Sequence, residues 1–164
     1  MTMNTPKALF AHEMSDIYDA EQRILKMLPL MAQEAANPTV RDVLQNHEQE
    51  TRQQITNLEQ CFQMLGVQPE NITCYAVVGL KQEHDTFIKE NPAPDILTMF
   101  DLGAAAKTEH YEIAAYEDLI EQATLMGQQQ CVQLLRQNLS QEQEMAQRVT
   151  TIAHQLGQKI VQQA

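Results

Sequence analysis

The chain has 164 residues, which is enough for one domain with a single hydrophobic core. Only 5% of its residues are aromatic and Trp is absent, while residues that favour helices are abundant, so the composition predicts an all-α fold. The formal charge of −11 would repel phosphate backbones and anionic lipid surfaces, and we therefore expect neither nucleic-acid nor membrane partners.

A capping residue followed by proline marks the start of the first two predicted helices, at Thr5-Pro6 and at Asn37-Pro38. Apolar residues recur at helical spacing after both signals, and Gly66 is a typical helix terminator. The predicted bounds are residues 6–36 and 38–66. Because the break between these helices is short, we expect them to form an antiparallel hairpin.

Three further helices are predicted in the second half of the chain. The segment "NPAPD", residues 91–95, stops one helix and opens the next, and Gly127 and Gly157 are expected to end the last two. The predicted bounds are residues 72–90, 94–126 and 128–157. The short break at Gly127 predicts a second antiparallel hairpin.

The helix predicted over residues 72–90 sets the expected topology. At about 1.5 Å per residue it would span about 30 Å, so it could return the chain from one end of the bundle to the other. Two hairpins joined by one long crossover make the ferritin-like form of an antiparallel four-helix bundle. We therefore predict a single ferritin-like domain over residues 1–164, and a generic helical bundle without a site is the alternative.

Charged residues interrupt the apolar stripe of every long predicted helix near its middle. In the stretch "TEHYEIAAY", residues 108–116, two glutamates lie beside residues that should face a core. The interrupting residues are Glu21 on the first helix, His47 and Glu50 on the second, Glu109 and Glu112 on the fourth, and Glu142 on the last. Residues three apart share a helix face, so each pair on one helix can converge on one point.

These side chains predict a metal site, because a buried carboxylate is costly unless a cation pairs with it. Five glutamates and one histidine form a hard, oxygen-rich set with capacity for two divalent ions. Such a set favours iron first and manganese second over a closed structural zinc site, although ligand type alone leaves zinc and calcium open. The alternative for any single glutamate is a solvated helix face, but agreement among four helices in both phase and height favours a shared site.

The cysteines and the N-terminus indicate the compartment. Cys61, Cys74 and Cys131 are widely spaced and form no C-x-x-C motif, which is typical of reduced thiols rather than a disulfide framework. The N-terminus shows no basic region followed by an apolar run, so no signal peptide is predicted. No stretch approaches the roughly 20 apolar residues that span a bilayer. We expect a cytoplasmic protein.

Four stretches resemble the YciE/YciF family of ferritin-like bacterial proteins. They are "DIYDAEQRIL" (16–25), "HEQETRQQI" (47–55), "CYAVVGLKQE" (74–83) and "KTEHYEIAAYEDL" (107–119). The resemblance implies a rubrerythrin-like bundle, often dimeric, with a dinuclear metal site and an association with stress responses. It also implies that the six charged positions above are the metal ligands, with His47 coming from an H-x-x-E-T motif.

Two features depart from the usual ferritin-like pattern, which has Glu-x-x-His on two helices. The second helix has the reverse order, His47-x-x-Glu50, and the last helix has Met145 where a second histidine would lie. The acidic cluster that the family has on its last helix is reduced here to Glu142.

The leading functional hypothesis is a dinuclear iron or manganese protein that acts on peroxide or oxygen in a stress response, through oxidase or peroxidase-type activity. The alternative is a non-enzymatic, dimeric helical stress protein with an empty or structural metal site, so whether the protein is an enzyme stays open. We also expect a homodimer, because a small bundle rich in Met and Leu often covers apolar surface by self-association. The sequence assigns no catalytic residue and no organic cofactor.

Overall fold

The structure is a computed structural model that describes residues 3–163. Within that range the chain is all-α, with five helices and no strand. The helices are α1 (Pro6–Glu34), α2 (Pro38–Leu65), α3 (Tyr75–Ile88), α4 (Pro94–Leu125) and α5 (Gln129–Gln163). The four long helices surround the core in the order α1, α2, α5, α4, and α4 contacts α1 to close the ring. The predicted all-α, ferritin-like bundle with an additional crossover helix is confirmed.

Side-chain caps and left-handed glycines delimit the two hairpins. Thr5 Oγ1 accepts a hydrogen bond of 3.1 Å from the amide of Ala8, and Asn37 Oδ1 accepts one of 2.9 Å from the amide two residues further on. Gly66 and Gly127 have φ values of 64° and 71°, a region in which glycine has no steric penalty. These two glycines allow the chain to leave α2 and to turn between α4 and α5. None of the helices in the described range has the length and apolarity needed to cross a membrane.

The crossover helix is shorter than the pattern over residues 72–90 predicts. α3 has 14 residues, so at about 1.5 Å per residue it spans only about 21 Å. The irregular stretch 66–74 supplies the rest of the crossover, because a residue outside a helix can advance about twice as far as one inside it. The amide of Cys74 donates to Asp19 Oδ2 of α1 at 2.7 Å, which fixes the residue at which α3 begins.

Two other boundaries differ from the predicted ones. α5 continues through Gly157 to Gln163, because Gly157 does not take the positive φ that ends a helix at a glycine. α1 ends at Glu34 rather than near residue 36, because Ala35 adopts an extended conformation with ψ of 109°.

The core is apolar at both ends of the bundle and polar in the middle. Buried apolar residues include Phe10 and Leu135 toward one end, and Leu28 and Leu102 toward the other. Near mid-height the buried side chains are mostly polar. They are Glu21, His47, Thr51, Gln54, Asn57, Glu109, Glu112, Asn138 and Glu142. This polar middle is where a functional site would lie.

Candidate metal centre

Five buried side chains cross the middle of the bundle, and we call them the carboxylate layer. They are Glu21 of α1, His47 of α2, Glu109 and Glu112 of α4, and Glu142 of α5, none of them more than 2% exposed. All but Glu21 offer one potential ligand atom each within 4.8 Å of the others. Three helices therefore bring ligand atoms to one point, and α1 adds a further carboxylate to the same layer. This buried His/Glu group could hold a metal ion.

His47 is the only imidazole in that layer and contacts carboxylates through both ring nitrogens. Its Nε2 lies 3.4 Å from Glu109 Oε1 and 4.0 Å from Glu142 Oε2, while its Nδ1 lies 3.4 Å from Glu50 Oε2. A carboxylate on the second nitrogen is the usual way to orient a metal-binding imidazole. Glu50 is itself 24% exposed and lies 3.8 Å from Arg148, so it occupies the edge of the layer.

Two buried donors hold two of the carboxylates in place. The Tyr116 hydroxyl donates to Glu21 Oε1, and the Gln54 amide donates to Glu142 Oε1. Both donor residues are fully buried. One oxygen of each of these two glutamates is therefore fixed by the protein, and the other is left for a different partner.

Several ligand atoms in the carboxylate layer have no hydrogen-bond partner among the described residues. They are Glu21 Oε2, His47 Nε2, Glu109 Oε2, both oxygens of Glu112, and Glu142 Oε2. An unpaired buried polar atom costs about 1–3 kcal/mol, and more when it is charged. Because ionised carboxylate oxygens can only accept, a hard cation among His47, Glu109, Glu112 and Glu142 would pair with a ligand atom of each. The residues present therefore fit a metal ion.

Burial raises the pKa of all four carboxyls in the layer. Burial is the largest cause at each, and neighbouring carboxylates add repulsion, as those of Glu142 and Glu21 do at Glu112. The pKa of Glu109 rises to about 7. Burial opposes the charge on His47, but the hydrogen bond that its Nδ1 donates to Glu50 and the carboxylate of Glu142 outweigh this effect and raise the pKa of His47. A divalent cation would relieve the repulsion that raises the carboxyl pKa values.

A second polar layer, the amide layer, lies next to the carboxylate layer and consists of Asn57 of α2 and Asn138 of α5. Asn57 Nδ2 donates to Asn138 Oδ1 at 2.7 Å. Asn138 Nδ2 in turn lies 3.1 Å from Tyr116 Oη and 3.3 Å from the backbone carbonyl of Gln54. The amide layer therefore supports the two residues that hold Glu21 and Glu142.

Sequence reasoning missed the neutral polar residues around the carboxylates, because it searched for charged groups. These residues are Thr51, Gln54, Asn57 and Asn138. Helical spacing could have identified three of them. Thr51 and Gln54 follow His47 by four and seven residues, and Asn138 precedes Glu142 by four, so they share faces with the predicted ligands.

A cavity of about 40 Å³ adjoins the carboxylate layer at His47 and Glu109. Its volume gives room for about three water molecules. The rest of the lining is mostly apolar and includes Met27, Met31 and Met145, the residue at the expected position of a second histidine. A small uncharged molecule in this cavity would contact both His47 and Glu109.

The six predicted site residues thus separate into two groups. Five of them share the buried carboxylate layer, and Glu50 contacts that layer from its edge through His47. Their assignment as metal ligands stays a prediction, as does the number of ions.

Comparison with known proteins identifies the family of this chain. A family profile described as "Domain of unknown function (DUF892)" matches residues 5–163. Protein YciF of Escherichia coli (strain K12) is 29% identical over 154 residues, which cover 93% of each chain. The resemblance to YciE/YciF-type proteins is therefore confirmed.

Three solved structures share the fold over nearly the whole chain. The E. coli stress protein YciF has a TM-score of 0.91 at 28% identity, covering 96% of this chain and 99% of its own. YcfI, described as a putative structural protein from Rhodopseudomonas palustris, has a TM-score of 0.88 at 36% identity, with coverages of 92% and 96%. A protein of Xanthomonas campestris pv. campestris, at 20% identity, a TM-score of 0.78 and coverages of 97% and 98%, shows the fold alone.

Proposed function

The chain belongs to the DUF892 family, and from that premise and the carboxylate layer we propose that it is a ferritin-like dinuclear iron or manganese protein that acts on peroxide or oxygen in a stress response. The observation that carries the proposal is the set of buried ligand atoms without partners, above all both oxygens of Glu112. The stress context is supported by YciF, which is described as a stress protein.

The proposed role of the carboxylate layer is to hold two cations between four helices. Glu109, Glu112 and Glu142 would supply oxygens and His47 a nitrogen, and Glu21 would add the oxygen that Tyr116 does not occupy. Bound iron or manganese would supply the redox chemistry, because both metals change oxidation state. The protein contributes a buried site with its ligands already oriented.

The cavity beside His47 supports a small uncharged oxidant as the substrate. Its volume of about 40 Å³ admits a molecule the size of peroxide or oxygen, and its mostly apolar lining disfavours ions. The chain's net charge of −11 would also repel anionic substrates. Access through this cavity would lead directly to the His47 and Glu109 side of the layer.

Oxidation of loaded iron tests the proposed activity. Protein loaded anaerobically with iron(II) is mixed with hydrogen peroxide or oxygen, and iron(III) is followed by absorbance. We expect faster oxidation than for free iron(II), loss of the acceleration in Glu112→Gln, and full activity in Glu117→Gln, whose carboxylate is exposed on the same helix. Equal rates for the wild type and Glu112→Gln would contradict the proposal.

Met145 favours a second candidate function, a non-enzymatic stress protein whose metal only stabilises the fold. A thioether in place of the second histidine removes one nitrogen ligand, and YcfI is described as a putative structural protein. Under this alternative, zinc and iron would raise the melting temperature alike, and iron oxidation would be no faster than in buffer. The proposed enzyme would instead show the acceleration with iron.

We further propose that the protein is a cytoplasmic homodimer without nucleic-acid or membrane partners. Large apolar side chains remain exposed, including Leu125 at 78%, Val161 at 72% and Leu30 at 57%, and self-association would cover such surface. The three cysteines are free, as expected of a reducing compartment. Light scattering at micromolar concentration should give the mass of two chains, and the mass of one chain would contradict the dimer.

A further inference from the structure

Two cysteines face each other at the end of the bundle away from α3. Cys61 Sγ lies 4.0 Å from the carbonyl oxygen of Cys131, and Cys131 Sγ lies 3.9 Å from the carbonyl oxygen of Cys61. Each thiol therefore contacts the backbone of the other residue, and the two side chains share one space between α2 and α5. Their exposures are 0% and 1%, so this contact belongs to the core.

We propose that Cys61 and Cys131 form a reversible disulfide that joins α2 to α5 when the protein meets a hydroperoxide. The two residues are 70 positions apart in sequence, so the bond would close a long loop and constrain the unfolded chain strongly. Neither cysteine contacts the carboxylate layer, and the proposal does not depend on a bound metal.

The two thiols are not equivalent, and Cys131 is the nucleophile. It lies in the first turn of α5, where the partial positive charge of the helix N-terminus favours a thiolate. The contact between the two side chains lowers the pKa of Cys131 and raises the pKa of Cys61. Cys131 therefore supplies the thiolate, and Cys61 supplies the second thiol.

Met64 lies between this cysteine pair and solvent. Its Sδ lies 4.0 Å from Cys131 Sγ, and its side chain is 44% exposed. Fraying of the first turn of α5, or a rotamer change of Met64, would expose the sulfur to a molecule as small as hydrogen peroxide. Because buried thiols react only from such open states, the reaction should be slower than that of an exposed cysteine.

The chemistry is a two-electron oxidation of the thiol pair by the peroxide bond. The Cys131 thiolate attacks one peroxide oxygen, the O–O bond breaks, and the released hydroxide takes a proton to become water. The sulfur of Cys61 then attacks the sulfenic acid at Cys131, the S–O bond breaks, and a second water leaves with the thiol proton. One hydrogen peroxide and two thiols thus give one disulfide and two waters.

Cys74 provides an internal control. It is buried like the other two, but its Sγ lies 3.1 Å from the Tyr111 hydroxyl and contacts neither Cys61 nor Cys131. A reaction that depends only on burial and thiol content would treat all three cysteines alike. A reaction that depends on the paired geometry would leave Cys74 reduced.

Thiol counting in the metal-free protein tests the proposal. Protein in EDTA is treated with a small excess of hydrogen peroxide, alkylated in denaturant and digested for mass spectrometry. Wild type should fall from three free thiols to one, with a Cys61–Cys131 cross-link and a raised melting temperature, and dithiothreitol should restore all three. Cys74→Ala should fall from two free thiols to none.

Single replacements separate the paired reaction from general oxidation. In Cys61→Ala, Cys131 should reach only the sulfenic acid, which dimedone captures, and the melting temperature should not rise. Three thiols left in treated wild type, a cross-link through Cys74, or a bond between two chains would each overturn the proposal. Because no metal is present, failure here leaves the proposed metal centre untouched, and failure of metal binding leaves this proposal untouched.

Discussion

The carboxylate layer and the amide layer are neighbours in one core, but they satisfy their polar groups in different ways. In the amide layer Asn57 and Asn138 bond to each other and to adjacent groups, and neither has an unpaired side-chain atom. In the carboxylate layer, each of the four glutamates has at least one unpaired oxygen. An amide both donates and accepts, whereas a carboxylate only accepts. When its carboxyls are ionised, the carboxylate layer therefore requires a partner from outside the chain, and the amide layer does not.

Tyr116 and Gln54 connect the two layers. Tyr116 contacts Asn138 and donates to Glu21, and the backbone carbonyl of Gln54 accepts from Asn138 while its side chain donates to Glu142. The self-sufficient layer thereby positions the layer that needs a cation. Metal and pH should therefore act on the carboxylate layer alone, and substitutions in the two layers should change stability in opposite directions in the metal-free protein.

The largest expected effect is stabilisation of the wild type by metal. Binding to the folded state alone adds about 3 kcal/mol per site when free metal is about 100 times Kd. In urea unfolding of the wild type, we expect the free energy of unfolding to be higher by this amount in manganese(II) than in EDTA. For Glu109→Gln we expect the two conditions to give the same value. Equal gains in the two proteins would place the cation outside the carboxylate layer.

Breaking the amide layer should lower the free energy of unfolding by nearly as much as metal binding raises it. Asn138→Ala removes the partner of Asn57 and leaves buried groups unpaired, so the free energy of unfolding should fall by about 2–3 kcal/mol with or without metal. Gln133→Ala, at an exposed position of the same helix, is the matched control and should change the free energy of unfolding by less than about 0.5 kcal/mol. An unchanged free energy of unfolding in Asn138→Ala would show that the amide layer is not a structural support.

The pH dependence of the metal-free protein should reflect the carboxylate layer. Glu109 has a folded pKa of about 7 and an ordinary value of 4.5, so the folded state binds more protons between these pH values. The contribution of Glu109 to the free energy of unfolding in EDTA should therefore be greatest below pH 4.5. It should fall as the pH rises to about 7. The slope is up to about 1.4 kcal/mol per pH unit for each proton.

Glu21, Glu112 and Glu142 shift in the same direction and should extend the decline to higher pH. With manganese(II) bound the trend should reverse, because protons compete with the metal for the same oxygens. Urea unfolding at several pH values, with and without metal, measures both trends. A metal-free protein that gains stability between pH 5 and pH 7 would contradict the burial of these carboxyls.

The smallest effect is expected for Glu112→Gln without metal. Burial and the neighbouring carboxylates disfavour ionisation of Glu112 in the folded state but not in the unfolded state, and a neutral glutamine removes this difference, so the free energy of unfolding at neutral pH should rise by about 1 kcal/mol. The exposed Glu117→Gln should leave it unchanged within about 0.5 kcal/mol. A loss of stability in Glu112→Gln would mean that Glu112 already has a partner within the protein.

The bundle was predictable from local signals, and its crossover was not. Capping pairs such as Asn37-Pro38 and the turn at Gly127 act through their own backbone, so the sequence reveals them directly. The start of α3 depends on a hydrogen bond from Cys74 to Asp19 of another helix, which no local pattern contains. Gly157 illustrates the same limit, because a glycine ends a helix only if its surroundings favour a positive φ.

The site was likewise predictable where the signal is local to one helix, and not where it depends on a neighbouring helix. Charged residues on an apolar stripe are conspicuous, so the five members of the carboxylate layer were identified from spacing. Glu50 was expected in the layer but is 24% exposed, because the buried stripe of α2 runs through His47, Thr51 and Gln54 and leaves Glu50 to one side. Thr51, one residue later, takes the buried position. Amide residues such as Asn57 are mostly exposed in proteins, and only the facing helix reveals a buried role.

Counting bound metal ions tests the central claim most directly. Wild type, Glu109→Gln and Glu117→Gln are titrated anaerobically with iron(II) or manganese(II), and bound metal per chain is determined after removal of free ions. We predict two ions per chain in the wild type and in Glu117→Gln, and none in Glu109→Gln. Equal uptake by the wild type and Glu109→Gln, or no uptake by any of the three, would contradict the assignment of the carboxylate layer as a dinuclear metal centre.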